Sequence, residues 1–256
     1  MKTIAIITGA SGGLGRAFTA LLAADPSLDE IWAVARHREG LEALASAYPG
    51  RIRPYMADLS RREEIAAQGE VLKGEDVSIR YLINNAGYAK FCGWDELSPM
   101  DSLAMLDLNI GGVVAMGLTC LPMMPSGSYL LNIASQASFQ PLPWLNLYGA
   151  SKAFVRFYSR ALGMELRERG VTVTAVCPGW MDTGLFDRAR VESTHAITRF
   201  VGRFTPEQVA EKALADARKG RALSIYGWYP RLHHLIAKLL PQRLMMQLWL
   251  MQQGMK

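Results

Sequence analysis

Apolar residues in this chain fall into short runs, separated by stretches with helical spacing. Residues 3–8, 30–35, 52–56, 81–84, 129–134, 171–176 and 222–226 are runs of strand length, read as buried strands. Between them lie helical patterns: one following the turn after residue 8, one over 40–48, and one opening near Ser60. Another starts at Ser98-Pro99, with Ser as N-cap and Pro at the first helical position, and runs to about Leu121. Asn109-Ile-Gly-Gly112 are poor helix formers in its middle, so a kink or water-binding site is expected there. A helix over 147–168 is apolar on much of its surface (Ala153, Phe154, Phe157, Ala161, Leu162, Leu166), as in a buried helix or a subunit interface. Thr205-Pro-Glu-Gln208 opens the next helix with a capping box, and Gly220 ends it. Strand and helix alternate throughout. The expected fold is α/β: one Rossmann-type, doubly wound parallel sheet with helices on both faces, in a single domain over 1–256. Residues 228–256 form a C-terminal extension, read as two helices broken at Pro241.

Composition narrows the class. The chain has 256 residues, half of them hydrophobic and a fifth charged, which suits one globular domain with a sizeable core. The apolar runs are interrupted by charge, Gly or Pro, so no transmembrane helix is expected, and the N-terminus lacks the pattern of a signal peptide. A cytoplasmic location follows. Cys92, Cys120 and Cys177 are too few and too scattered for a disulfide framework. His37, His195, His233 and His234 make no metal-ligand spacing. The net charge of +5 sits in the tail, because residues 217–256 hold seven Lys or Arg and no acid. No nucleic-acid partner is expected.

The chemistry gathers at the ends of the predicted strands. After the first comes Thr8-Gly9-Ala-Ser11-Gly-Gly13-Leu14-Gly15 and then a helix, an arrangement that offers backbone N–H groups and a helix N-terminus to a phosphate. The second strand ends at Ala35-Arg36-His37-Arg38, with no carboxylate to bond ribose hydroxyls. Arg36 or Arg38 can pair with a 2′-phosphate, which favours NADP(H) over NAD(H). Asp58-Leu59 follows the third strand. The acid reaches an adenine or caps the helix near Ser60. Asn84-Asn85-Ala86-Gly87 ends the fourth, where such sheets bind ligands. Ser135 ends the fifth. Tyr148 and Lys152, one turn apart on the next helix, complete a set in which an ammonium lowers a phenol's pKa and the phenol acts as general acid or base.

Together these residues resemble the short-chain dehydrogenase/reductase family over roughly 3–226, in its compact NADP-preferring branch. The resemblance implies that the Gly9-x-x-x-Gly13-x-Gly15 turn binds the cofactor, with Ser11 and Leu14. It assigns Asp58, Leu59, Asn85, Ala86, Gly87, Pro178, Gly179 and Thr183 to the same site, and Asn109, Ser135, Tyr148 and Lys152 to catalysis. Many NADP-preferring members carry a basic residue where Gly12 stands here, so Arg36 carries the preference. The implied reaction interconverts a carbonyl and a secondary alcohol. Tyr148 gives the proton, Ser135 holds the oxygen, Lys152 bonds the nicotinamide ribose and Asn109 positions a water that re-protonates the site through Lys152.

The substrate pocket is expected to draw on Trp144, Trp180, Met181, Leu185, Phe186 and the segment up to Phe204, an inventory suited to a hydrophobic small molecule. Arg188, Arg190 and Arg199 are read as solvated. The basic, apolar tail is read first as a lid or subunit contact, in a homodimer or homotetramer, and second as a membrane-surface segment serving lipid-like or steroid-like substrates. A non-catalytic NADP-binding regulator is the remaining alternative.

Overall fold

The computed structural model describes residues 1–181, 183, 189 and 197–255. Its strands are β1 (Lys2–Thr8), β2 (Glu30–Ala35), β3 (Ile52–Met56), β4 (Val77–Asn84), β5 (Tyr129–Ile133), β6 (Thr172–Val176), β7 (Trp180–Met181), β8 (Arg203–Phe204) and β9 (Leu223–Ser224). Seven of them form one sheet in the order β3-β2-β1-β4-β5-β6-β9, all parallel, while β7 pairs with β8 apart from it. The strand order reverses between β1 and β4, which opens a crevice at their carboxyl ends.

Period-two alternation sends successive side chains to two cores. Ala5 and Ile7 of β1 pack with Phe18 and Leu22 of α1 (Gly13–Ala23), Leu41 of α2 (Arg38–Ala47) and Val209 of α7 (Pro206–Arg218). Ile4 and Ile6 pack with Leu72 of α3 (Arg62–Lys73), Met116 of α5 (Val113–Cys120) and Leu162 of α6 (Asn146–Glu165). Both sheet faces are therefore covered, as parallel sheets require. The alternation slips once. Ile4 pairs with Ile79 but Ala5 with Tyr81, so Arg80 is skipped and Ile79 and Leu82 share a face.

The cap motifs form as expected. Ser98 Oγ accepts from Asp101 N at the start of α4 (Pro99–Leu106), and Thr205 and Gln208 make the capping box of α7. The irregularity at 109–112 is a π-helical turn, Asp107–Gly112, between α4 and α5. Any residue larger than glycine at 112 would bring its Cβ to 2.8 Å from the Leu59 carbonyl. The helical stretch Pro99–Met123, with mean hydropathy 1.6, is by length and composition alone apolar enough to span a bilayer. Here Leu108, Met116 and Cys120 from it fill the second core. The expectation for the helix over 147–168 divides: Leu162 and Leu166 are buried, whereas Phe157 is 64% exposed and Phe154 is also exposed. The tail forms α8 (Trp228–Leu239) and α9 (Gln242–Gln253), broken at Pro241 as expected.

A chain of buried polar groups crosses the sheet. Asn84 Nδ2 donates to Asn132 Oδ1 at 2.9 Å, Asn132 Nδ2 donates to Ser159 Oγ at 2.9 Å, and Ser159 Oγ donates to the Val155 carbonyl at 2.7 Å. It joins the ends of β4 and β5 to α6. Asn132→Ala removes one hydrogen bond from each of two buried partners, Asn84 and Ser159, and is expected to lower the free energy of unfolding by about 2 kcal/mol in urea titrations. A loss within the roughly 0.5 kcal/mol of an ordinary surface change would show that the chain is not structural.

Candidate active site

The turn after β1 is held against the turn after β4. Thr8 Oγ1 accepts from Asn85 N at 2.9 Å and Ala86 N at 3.0 Å, while Asn85 Nδ2 donates to the carbonyls of Thr8 and Gly9 at 3.0 and 3.1 Å. Gly9 has φ +62°, and a Cβ there would lie 2.9 Å from Ala86 Cα, so only glycine fits. The N-cap of α1, Gly12, has no side-chain oxygen to occupy the first N–H groups of that helix, which leaves them for a ligand.

These turns line a cleft of about 890 Å³. Gly9, Ser11, Gly13 and Leu14 form one wall, Arg36 and Leu59 another, and Asn85, Ala86 and Gly87 lie between. Tyr148, Lys152 and Pro178 also line the cleft, as does Thr183, whose side chain packs against Gly13. Among the described residues, the ionisable Lys, Arg, Asp or Glu side chains on the lining are Arg16, Arg36, Lys90 and Lys152, with no carboxylate. A phosphate-rich dinucleotide fits such a lining.

At Tyr148 the cleft meets a smaller cavity of about 210 Å³. Ser135 opens a short 3₁₀ turn, where its Oγ accepts from Ala137 N at 3.1 Å, and its hydroxyl lowers the pKa of the Tyr148 phenol beside it. Burial pushes that phenol above its ordinary pKa, with Ser135 pulling the other way and Cys177 adding to the rise. The Tyr148 side chain is half-buried at the cavity, whereas Lys152 is buried. Its Nζ donates to the Ile133 carbonyl at 2.8 Å and lies 5.8 Å from the centre of the Tyr148 ring. This corrects the expectation that the ammonium sets the phenol's pKa: a main-chain carbonyl at the end of β5 holds it, and desolvation dominates both groups.

Several residues assigned to the cofactor or the pocket lie elsewhere. Asp58 is off the cleft lining, its Oδ1 accepting from Ser60 N at 3.0 Å and Ser60 Oγ at 2.7 Å. It makes a local turn before α3, whose N-cap is Arg61. Gly15 is buried beneath the turn, where a Cβ would meet the Gly9 carbonyl at 2.2 Å. Gly179 lines the small cavity, not the cleft. Arg38 is off the lining and pairs with Glu42 at 3.7 Å. Asn109 is wholly buried and grips Tyr88, accepting from its N at 3.1 Å and donating to its carbonyl at 2.9 Å. Trp180 and Met181 line the small cavity. Trp144 instead packs on Gly93, and Phe204 on Gly227. Asp182, Leu185, Phe186, Arg188, Arg190 and His195 lie outside the described residues.

Sequence reasoning missed Arg16, directly after the glycine turn, and, while it read the tail first as a lid or subunit contact, it did not name the residues that form the distal wall of the small cavity. That wall comes from the tail: Tyr229, His233 and Ile236 of α8, and Met245, Trp249 and Gln252 of α9. The signal was present as a 3–4 spacing in each helix.

A sequence profile of the short chain dehydrogenases matches residues 3–193, three quarters of the chain. The chain belongs to the short-chain dehydrogenase/reductase family. It is 34% identical over 192 residues to sulfoacetaldehyde reductase 2 of Chromohalobacter salexigens, covering 72% of this chain and 74% of that one. A short-chain dehydrogenase from Sphingobium yanoikuyae, solved in complex with NADPH, superposes with a TM-score of 0.77 at 26% identity, covering 96% and 95% of the two chains. The bulky-bulky ketone specific alcohol dehydrogenase from Comamonas testosteroni superposes at 0.73 with 25% identity, covering 96% and 94%. As a short-chain dehydrogenase/reductase, the protein is an oxidoreductase of carbonyl and alcohol groups that uses a nicotinamide cofactor.

Burial holds the Lys152 ammonium down from an ordinary pKa of 10.5 to about 8. Below that pH the group is charged in folded and unfolded chains alike, and the fold bears the full cost of burying it. Between the two values only the unfolded chain keeps the proton, so stability rises with pH. Wild type is expected to gain stability to urea through this window relative to Lys152→Met. A difference between the two proteins that does not change with pH would show that the ammonium is not desolvated.

Proposed function

We propose that this protein is an NADP(H)-dependent reductase of neutral, hydrophobic carbonyl compounds, with Tyr148 as general acid. The observation that carries the proposal is a cleft whose charged side chains are all basic, joined at Tyr148 to an apolar cavity. The glycine turn suits a pyrophosphate, and Arg36, with Arg16 beside it, suits a 2′-phosphate. Bound in the cleft, a nicotinamide supplies the hydride. The chain supplies the rest. The phenol of Tyr148, kept protonated at neutral pH by its burial, gives its proton to the substrate oxygen. Ser135 donates a hydrogen bond to the same oxygen. A Cβ at Gly87 would lie 2.8 Å from Asn109 Oδ1 and 3.4 Å from Lys152 Nζ, so the glycine leaves room between them for a water that returns the proton through Lys152.

The cavity argues for a neutral substrate. No Asp, Glu, Lys or Arg lines it among the described residues, and burial keeps His233 from charging. An ionised substrate would be desolvated there without a partner. The exposed Leu103, Leu118, Phe154 and Phe157 on neighbouring helices support pairing with a second copy of the chain, as a homodimer or homotetramer.

Two experiments test this reading. Fluorescence titration is expected to give tighter binding of NADPH than of NADH, and Arg36→Ala is expected to weaken NADPH by about tenfold or more while sparing NADH. Equal or tighter NADH binding would overturn the cofactor assignment. Tyr148→Phe is expected to lower the turnover of hydrophobic ketones by about 10²–10⁴-fold with NADPH binding retained. Wild-type turnover in that variant, or no turnover in wild type despite binding, would favour an NADP-binding regulator.

A further inference from the structure

The tail helices α8 and α9 are apolar on two sides. Their inner faces wall the small cavity. On the outer face of α8, Trp228 is 74% exposed, Leu235 54% and Leu239 73%, positions spaced to share one stripe. Leu244 and Met251 are exposed on α9. Tyr229, in the first turn of α8, hydrogen-bonds Gln252 in the last turn of α9 at 3.4 Å, so the chain folds back at Pro241 and the two helices lie side by side at the cavity.

The rim of the cavity belongs to both surfaces. Leu232 and Leu248 line it and are still 45% and 40% exposed, so the cavity opens through the apolar outer face. The exposed charges on this pair are Arg231, Lys238 and Arg243, and residues 217–256 hold no Asp or Glu. An apolar face whose own helices carry only cations complements the interfacial zone of an anionic bilayer, where apolar side chains enter the acyl boundary and cations meet the headgroups.

We propose that the outer face of α8 and α9 docks on an anionic lipid surface, so that the cavity mouth opens onto the bilayer and takes its hydrophobic carbonyl substrate from it. Substrate entry rests on the function proposed above; the docking itself does not, and is measured without turnover.

The test is vesicle flotation of the full chain with phosphatidylcholine vesicles, with and without about a third phosphatidylglycerol. Deleting the tail would remove a cavity wall, so the variants are point changes at exposed positions off the lining. Wild type is expected to float with the anionic vesicles and to bind neutral ones much more weakly. Trp228→Ser/Leu235→Ser/Leu239→Ser is expected to lose about tenfold or more of that affinity, and so is Lys238→Glu/Arg243→Glu. Circular dichroism is expected to show native helix content in both, and turnover of a water-soluble ketone to stay at the wild-type level. The triple variant is further expected to slow only on a ketone presented in vesicles. Wild type failing to float would overturn the proposal, as would a triple variant that floats like wild type. Sedimentation velocity covers the remaining occupant: a wild-type assembly that fails to float and falls apart in the triple variant would assign this face to a second copy of the chain.

Discussion

The structure depends on how polar groups are paired at the carboxyl ends of β1, β4 and β5. The strands there are buried on both faces, so a polar side chain among them has no water to turn to and must find protein partners. Thr8 meets the main-chain N–H groups of Asn85 and Ala86; Asn85 returns the bond to the carbonyls of Thr8 and Gly9. Asn84, Asn132 and Ser159 continue the pairing across the sheet to α6. Each bond is worth little net, but leaving one unmade is costly, and that asymmetry selects a single register. The glycine turn, the Asn85-Ala86-Gly87 turn and the helix carrying Tyr148 are thereby held in one frame at the point where strand order reverses.

The proton transfer proposed for Tyr148 draws on the same desolvation that enforces this frame. Tyr148 and Lys152 lie in the first turns of α6, where the register of β5 sets the Ile133 carbonyl within reach of the lysine. Burial disfavours the charged form of each group, raising the phenol and lowering the amine. Their ordinary values, 10.0 and 10.5, are thereby drawn apart, which leaves the ammonium the stronger acid, able to return a proton to a phenolate through an intervening group. A solvated pair at the same spacing would keep its ordinary values and do nothing of the kind.

Much of this was legible in the sequence because local rules and tertiary demands agree there. A buried parallel strand reads as an apolar run, and residues 30–35 match β2 end to end; 52–56 match β3 as well, although that edge strand is only partly buried. The glycine turn was recognisable because φ at Gly9 and contact at Gly15 exclude a side chain. Asp58 reads two ways in the sequence, as an adenine contact or as a cap near Ser60, and in the structure its Oδ1 accepts from Ser60, two residues on. The protonation of Tyr148 was illegible. A spacing of four residues says that an ammonium is near, but not that the Ile133 carbonyl will hold it or that the lysine will be dry.

The tail was hardest to read, for a physical reason. A helix apolar on one stripe declares an inside and an outside; one apolar on two sides reads only as buried. In α8, Tyr229, His233 and Ile236 face the cavity while Trp228, Leu235 and Leu239 face away from it. No single hydrophobic period separates those sets. Only the cavity shows that one side is already used within the chain. The parallel sheet thus carries the chemistry and the tail decides what reaches it. Changes on the outer stripe alter access without touching Tyr148, while changes on the inner stripe alter which carbonyl compound the cavity accepts.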